Sequence, residues 1–405
     1  MGRPVSLTIH SGYPDFLDLP WDQPLSDWPI HSTRLVELPH GLSRHPVVFI
    51  NYEGAVYALK ELAQSDAKKE YENLIRIEAL HLPVVIPVGF VQVNTETNDH
   101  SILITQYLDR SLPYRMLFMS QGLERYRTHL LDAMAGLLVQ MHLVGVFWGD
   151  CSLSNTLFRR DAGALQAYMV DTETTEVNSD RLSPTLRFHD LEIMEENIDC
   201  ELAELKFLGI LATVKNQIPI ANTGGYIRIK YQNLWEEITR PIIIGTGENY
   251  RIQERIRMLN DMGFSVGDVR ITPTESGNEL KFDVAVTDRS FHRDQLYGLT
   301  GLFVEEMQAR KMMNEIQEQR ALLSQSNGYE TPLSVAAYHW LQITYKPISE
   351  QLNGLVNTHT TIAELYCQVL EHKWYLSERA GHDVGHQSAT ADYIEKIGQN
   401  ILLDI

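Results

Sequence analysis

Cysteine is scarce in this 405-residue chain: Cys151, Cys200 and Cys367 stand far apart, with no CxxC pair and no metal-finger spacing. A disulfide framework or a zinc module is therefore not expected. Free thiols suit a reducing compartment. Positive charge is also short, with 34 Lys and Arg against 53 Asp and Glu and a formal net charge of −19. Nucleic acids and anionic membrane surfaces attract Lys and Arg, so neither is an expected partner. A local basic pocket for phosphates stays compatible with that balance. No apolar run approaches the roughly 20 residues that span a bilayer. Met1-Gly2-Arg3-Pro4-Val5 does not open an apolar leader, so the expected location is cytoplasmic. Solenoid-period repeats and low-complexity segments are missing too, and no GxGxxG stands between the first strand-like runs.

What is present is an ordinary soluble composition, 44% apolar and 21% charged, long enough for two or three domains. Residues 1–33 are rich in Pro, Asp and Trp and read as irregular structure or an arm packing on a neighbour. Strand-like runs follow at Arg34–Leu38, Val47–Asn51 and Ala55–Leu59, the last two joined by Tyr52-Glu53-Gly54. Asp66 is placed to cap a helix reaching about Leu80, which Pro83 ends. Val84–Val93 and Ile102–Leu108 read as strands around a polar loop, Asn94–His100. A long helix is expected from about Leu123 to Val144, with Leu130, Met134, Leu137, Leu138 and Met141 at helical spacing and Gly145 at its C-cap. Beyond a soft boundary at Leu182-Ser183-Pro184, the pattern gives a helix at His189–Leu211, a short apolar run at Ile242–Ile244 and a helix at Gln253–Met262. It then gives a hairpin around Ser276-Gly277-Asn278 and helices from about Leu296 to Leu323 and from Val335 onward.

The chemistry concentrates in Trp148-Gly149-Asp150-Cys151-Ser152-Leu153-Ser154-Asn155, followed by Tyr168-Met169-Val170-Asp171. An Asp, an Asn five positions later and a second Asp after an apolar run fit phosphoryl transfer. Asp150 can accept a proton from, or orient, an attacking hydroxyl; Asn155 and Asp171 can hold magnesium against nucleotide phosphates. Upstream, Lys60 ends a small apolar strand and can pair with the α- and β-phosphates of ATP. It needs a carboxylate to hold it. Glu70 shares a helix face with Leu74 and Ile77 and is favoured, Glu72 is second, and Glu78 is also in reach. Glu173 reads as a solvated loop acid and His142 as a buttress of the catalytic loop. Gly245-Thr246-Gly247 reads as a turn rather than half a dinucleotide fingerprint. His382 and His386, four apart beside Asp383, make a weak metal pair.

With those residues in view, 34–175 resembles the eukaryotic-like kinase fold in its compact bacterial forms: lipopolysaccharide (Kdo/WaaP-type) kinases, RIO kinases and aminoglycoside phosphotransferases. Lys69–Leu80, ending in Leu82-Pro83-Val84, is similar to the RIO helix and its following strand, with Glu70 as the lysine's partner. Gly149-Asp150 with Asn155 is similar to the catalytic loop and Asp171 to the DFG aspartate. The resemblance puts Gln106, Tyr107 and Leu108 at the hinge, with Gln106 and Leu108 as adenine contacts. His40-Gly41-Leu42-Ser43-Arg44-His45 stands as the candidate phosphate cover, Thr172-Glu173 replaces Phe-Gly, and Ser152 stands where protein kinases place lysine. The second half resembles a bacterial C-terminal domain of unknown function.

The expected architecture is α+β: an arm (1–33), a bilobal protein-kinase-like domain (34–185) with a small antiparallel sheet lobe and a helical lobe, and a mainly helical α+β domain (186–405). The expected activity is ATP- and magnesium-dependent transfer of a γ-phosphoryl group to a hydroxyl of a sugar-like small molecule or a protein Ser/Thr. The alternative is a nucleotide-binding pseudokinase or regulatory interaction protein without turnover. Expected partners are a nucleotide, a hydroxyl acceptor and a protein bound through the helical C-terminal domain.

Overall fold

The computed structural model describes residues 4–21, 23–38, 45–63, 66–94, 99–114, 118, 124–162, 164–209, 222–240, 242–245, 266–273, 279–286, 291–356 and 360–398. The expected helix Gln253–Met262, the turn after Gly245, the tip Ser276-Gly277-Asn278 and all of the candidate phosphate cover except His45 lie outside them. The fold is α+β, with an antiparallel sheet near the N-terminus and a helical C-terminal region. Two compact units divide the chain, 1–159 with 166–243, and 160–165 with 244–405.

The first unit opens with a five-stranded sheet in the order β1-β4-β5-β3-β2. Its strands are β1 (Pro4–Ile9), β2 (Val47–Tyr52), β3 (Ala55–Ala63), β4 (Pro87–Asn94) and β5 (Asp99–Gln106). Every pairing between them is antiparallel. The segment read as an arm packs on its own sheet: β1 joins the edge beside β4, and Phe16, Leu19, Trp21, Leu25 and Trp28 bury against Ile50, Tyr57, Leu59, Val91 and Ile104. Arg34–Leu38, expected as a strand, contributes one isolated bridge, Leu35 to Ile50. Strand β3 runs three residues past Lys60, to Ala63. Its two-residue side-chain period decides what Lys60 faces. Tyr57 and Leu59 point into the arm's apolar cluster, so Lys60 points to the opposite face, where helix α1 (Asp66–Ala79) buries Ala67, Glu70, Asn73, Leu74 and Ile77.

Helix α2 (Glu124–Leu143) ends at Gly145, whose φ of +85° places it in the left-handed region. A side chain there would also clash with the Asp180 carbonyl, so glycine is required twice over. Strands β6 (Leu112–Pro113), β8 (Thr156–Asp161) and β9 (Ala164–Met169) form a small sheet, and β7 (Val146–Phe147) pairs with β10 (Glu176–Val177). Helices α3 (Pro184–Phe207) and α4 (Thr223–Thr239) complete this unit. Ser183 caps α3 through its side chain, which accepts the Leu186 amide, and Pro184 starts the helix where its missing N–H costs nothing.

The second unit contains the three-stranded sheet of β11 (Ile242–Gly245), β12 (Val266–Pro273) and β13 (Glu279–Val286), its first strand beginning at the last residues of the first unit. Its helices include α5 (Phe291–Thr300), α6 (Glu306–Asn327), α7 (Leu333–Trp340), α8 (Lys346–Leu352), α9 (Ile362–Ala380) and α10 (His386–Tyr393). Met312, Ile316, Trp340, Leu352, Leu365, Tyr366 and Tyr393 build its core. Among the described residues, no helix is long and apolar enough to cross a membrane.

Asp161, at the end of β8 and counted with the second unit, is buried and accepts the amides of Met307 (3.0 Å) and Gln308 (3.0 Å) in the first turn of α6. A carboxylate suits a helix N-terminus, yet burial pushes its pKa up to about 7, against those amides. A carboxyl raised on folding gives stability at low pH that is lost as pH rises through its folded value. The urea midpoint of the full chain is therefore expected to fall between pH 5 and pH 8, and Asp161→Asn is expected to narrow that fall. Equal falls in both proteins would show that Asp161 does not titrate with folding.

Candidate active site

Three charged side chains meet between the sheet and the loops of the first unit. The Lys60 ammonium donates to Asp171 Oδ2 at 2.6 Å and to both Glu70 oxygens at 3.3 Å. Lys60 is 15% exposed and Glu70 is fully buried, so water screens this contact little. Burial alone depresses the lysine, but Glu70 and Asp171 outweigh it and hold its pKa above the ordinary value. Burial drives Glu70 up to about 7 against the pull of Lys60. The negative charge of Asp171 nearby pushes Glu70 further in the same direction. Glu72, the second choice for the lysine's partner, pairs instead with Lys68 on the solvated face of α1.

Helix α1 is also tied to the segment after Asp171. Asn73 donates to the carbonyls of Thr172 (2.8 Å) and Thr175 (3.1 Å), and the Thr172 hydroxyl donates to the Glu70 carbonyl at 3.3 Å. The Asp171 carboxylate accepts the Glu173 amide at 3.2 Å.

Asp150 and Asn155 form the second cluster. The Asn155 amide nitrogen donates to the Asp150 carbonyl at 3.0 Å and to Asp150 Oδ2 at 2.9 Å. Both amide protons are then spent, and the Asn155 side-chain oxygen is left as an acceptor. The two clusters are joined through backbone: the Val170 amide donates to the Asn155 carbonyl at 3.1 Å, and the Trp148 indole donates to the Asp171 carbonyl at 3.2 Å. Asp150 thus sits on a loop locked to the strand that delivers Asp171. Gly149 makes the turn before it, with φ +78° and the Thr174 carbonyl 3.1 Å from where a Cβ would stand.

The loop is held from below by α3. Asp190 accepts the amides of Trp148 (2.9 Å) and Gly149 (2.9 Å), and Glu201 accepts those of Leu153 (2.8 Å) and Ser154 (3.0 Å). Asn197 donates to Asp150 Oδ1 at 2.9 Å and to the Cys151 carbonyl at 3.2 Å. His142 is fully buried between Asp190 (3.0 Å) and the Tyr231 hydroxyl (2.8 Å), and burial lowers its pKa. A neutral ring that donates to Asp190 and accepts from Tyr231 satisfies all of these groups.

Sequence reasoning assigned no role to Asn73, Asp190, Asn197 or Glu201. The spacing 190, 194, 197, 201 is one helix face, and three polar residues on an otherwise apolar stripe were the available signal. Of the hinge residues, Gln106 ends β5 opposite Tyr57 and donates its amide to the Ile86 carbonyl at 2.9 Å; the Leu108 carbonyl accepts the Ser111 amide at 3.3 Å. His382 and His386 do not share a helix face, because α9 ends at Ala380 and α10 begins at His386. His386 pairs with Glu315 at 2.7 Å, His382 with the Ala380 carbonyl, and no metal-holding cluster of His, Cys, Asp and Glu occurs among the described residues.

A small antiparallel sheet presenting a lysine to a helix glutamate, with a loop carrying Asp-x4-Asn and an Asp just beyond a strand, is a kinase-like arrangement. Residues 55–206 match the model of the lipopolysaccharide kinase (Kdo/WaaP) family, and residues 233–397 match that of DUF4032, a domain of unknown function. A solved structure described as "WaaP in complex with acyl carrier protein" is 14% identical, with a TM-score of 0.36, covering 64% of this chain and 99% of that one. No curated protein matches.

Removing the lysine isolates a buried acid. Lys60→Met is expected to cost about 3 kcal/mol at pH 8.5 and clearly less at pH 5.5. Without its cation Glu70 titrates higher still, so the variant keeps losing stability above pH 7, where wild type has already lost that contribution. Urea unfolding at the two pH values checks this; an equal cost at both would mean that Glu70 does not sense Lys60.

Proposed function

We propose that the chain is an ATP- and magnesium-dependent phosphotransferase that moves a γ-phosphoryl group to a hydroxyl of a small, sugar-like molecule or a protein Ser/Thr. The family match over 55–206 supports a kinase-type phosphotransferase. The observation that carries the finer reading is the convergence of Lys60 on Glu70 and Asp171, with Asp150 held by Asn155 and locked to the same strand.

In this reading Lys60 binds the α- and β-phosphates, and Glu70 holds the amine in place while the nucleotide displaces Asp171 from it. Asp171 would then be available as a ligand for magnesium. The donor set fits magnesium: Asp171 supplies a charged oxygen, and Asn155 supplies the neutral oxygen that its own amide bonds leave free. Bound magnesium neutralises charge on the phosphate oxygens during transfer. Asp150 accepts a hydrogen bond from the acceptor hydroxyl and takes its proton as the new P–O bond forms and the bond from the γ-phosphorus to the β–γ bridging oxygen breaks, releasing ADP. Gln106 and Leu108, at the end of β5 and just beyond it, contact adenine. The helical C-terminal unit serves a protein partner or the acceptor, in a cytoplasmic setting.

A nucleotide-binding regulator without turnover is the second reading, favoured by one feature: no glycine-rich phosphate loop stands between β2 and β3, which are joined by Glu53-Gly54 alone.

Saturating ATP with magnesium, at about a hundredfold over Kd, is expected to stabilise the first unit by about 2.7 kcal/mol. Asp171→Ala should remove the magnesium-dependent part of that shift in melting temperature. Asp150→Ala should keep the shift and lower transfer from γ-labelled ATP by about a hundredfold or more. Transfer unchanged in Asp150→Ala would refute the mechanism, and a melting shift with no transfer to any acceptor would favour the regulator.

A further inference from the structure

Helix α3 runs beneath the loop 148–155 and touches it at three successive places, each one or two turns further along: Asp190 at Trp148 and Gly149, Asn197 at Asp150 and Cys151, Glu201 at Leu153 and Ser154. The two acids take backbone amides and so hold the loop's path. Asn197 differs, because it reaches the functional carboxylate itself. Asp150 accepts one amide proton on each oxygen, from Asn155 on Oδ2 and from Asn197 on Oδ1, both at 2.9 Å.

We propose that Asn197 is a positioning residue for Asp150, an inference that rests on the phosphotransfer reading. The terminal torsion of an aspartate is broad and roughly twofold. One donor leaves the carboxylate free to pivot about that contact; a second donor on the other oxygen fixes its plane. Each carboxylate oxygen keeps a further lone pair for an acceptor hydroxyl. The choice of donor matters as well. A lysine or arginine at 197 would neutralise the charge that draws the proton, whereas an amide orients the carboxylate and leaves its charge in place. Asn197 is half-buried, and its neighbours Met194 and Ile198 are buried in the unit's core. The side chain is therefore set by a rigid helix face rather than by a loop. A misplacement of the reacting group by about 1 Å can cost on the order of a hundredfold in rate, so the restraint is worth having.

The test compares Asn197→Ala with Asn197→Asp in the full chain. Asp has the shape of Asn but carries an acceptor where Asn carries a donor. If Asn197 positions Asp150, Ala lowers kcat for transfer from ATP about tenfold, leaves KM for ATP within about twofold, and Asp is worse than Ala. If the residue only fills space, Asp is better than Ala and both follow the melting temperature; that ordering overturns the proposal. A crystal structure of Asn197→Ala gives a readout that needs no turnover. The expected result is an Asp150 carboxylate rotated or split between orientations, with the Lys60–Glu70–Asp171 contacts intact. An unmoved, singly oriented carboxylate overturns the proposal. Absence of transfer by wild type would instead bring down the phosphotransfer reading, and the crystal structure would still decide whether Asn197 orients Asp150.

Discussion

The first unit is organised around one ammonium group shared by two carboxylates in a place that water reaches poorly. Lys60 comes from the sheet, Glu70 from α1 and Asp171 from the segment after β9, so a single cation joins three elements, one of them 111 residues along the chain. In a low-dielectric setting such a contact is strong only if each member is also held by neutral hydrogen bonds. The Glu70 carboxylate takes the Thr172 amide and the Asp171 carboxylate the Glu173 amide, while Asn73 and Thr172 knit α1 to the residues following Asp171 and Trp148 holds the Asp171 carbonyl. The balance is uneven, at 2.6 Å to Asp171 against 3.3 Å to Glu70. The closer partner belongs to the loop side and the more distant one to the helix. In the proposed reading, an anion arriving at Lys60 competes with Asp171 for the ammonium.

The loop bearing Asp150 depends on a different device. Short irregular segments expose backbone amides that must find acceptors if they are buried. Here the acceptors are Asp190 and Glu201 on α3, and the His142–Tyr231 pair anchors Asp190 in turn. Burial raises the Glu201 pKa against those same bonds. Each acid serves two amides. The arrangement gives a loop the rigidity of the helix below it, which is what an oriented carboxylate requires.

The parts of this site that were legible in the sequence are those whose spacing is local. Asp150 to Asn155 is five residues, Lys60 to Glu70 is one strand end to one helix turn, and Gly149 before Asp150 signals a sharp turn. The α3 stripe was harder to read: its partners lie more than forty residues upstream, and three polar residues on one helix face do not say what they bind. The packing of the N-terminal arm was hidden for another reason. Phe16, Leu19, Trp21, Leu25 and Trp28 follow neither helical nor strand period, because they are separate knobs set on a sheet face by turns. Strand β1 did carry a period of two in Val5, Leu7 and Ile9, but the prolines and aspartates after it dominated the composition. Conversely, Arg34–Leu38 has strand-like residues and only one bridge, since a strand needs a partner with matching register as well as propensity.

Glu70 and Asp161 show why a displaced pKa is a weak guide by itself. Burial lifts both to about 7. Asp161 faces backbone amides at a helix start, groups that cannot leave, and it sits among the acids Glu305 and Glu364. Its work ends with capping α6. Glu70 faces a side-chain cation that a second carboxylate also claims, so its ionisation depends on who holds the lysine. If an anionic ligand draws Lys60 away from Asp171, the geometry about Glu70 can tighten and its charged form gains. A raised carboxyl beside a cation that a second carboxylate also holds is a candidate for chemistry, while one beside fixed backbone dipoles fits architecture. By that criterion Glu70 is the candidate functional acid of the first unit, and Asp161 is structural within the second.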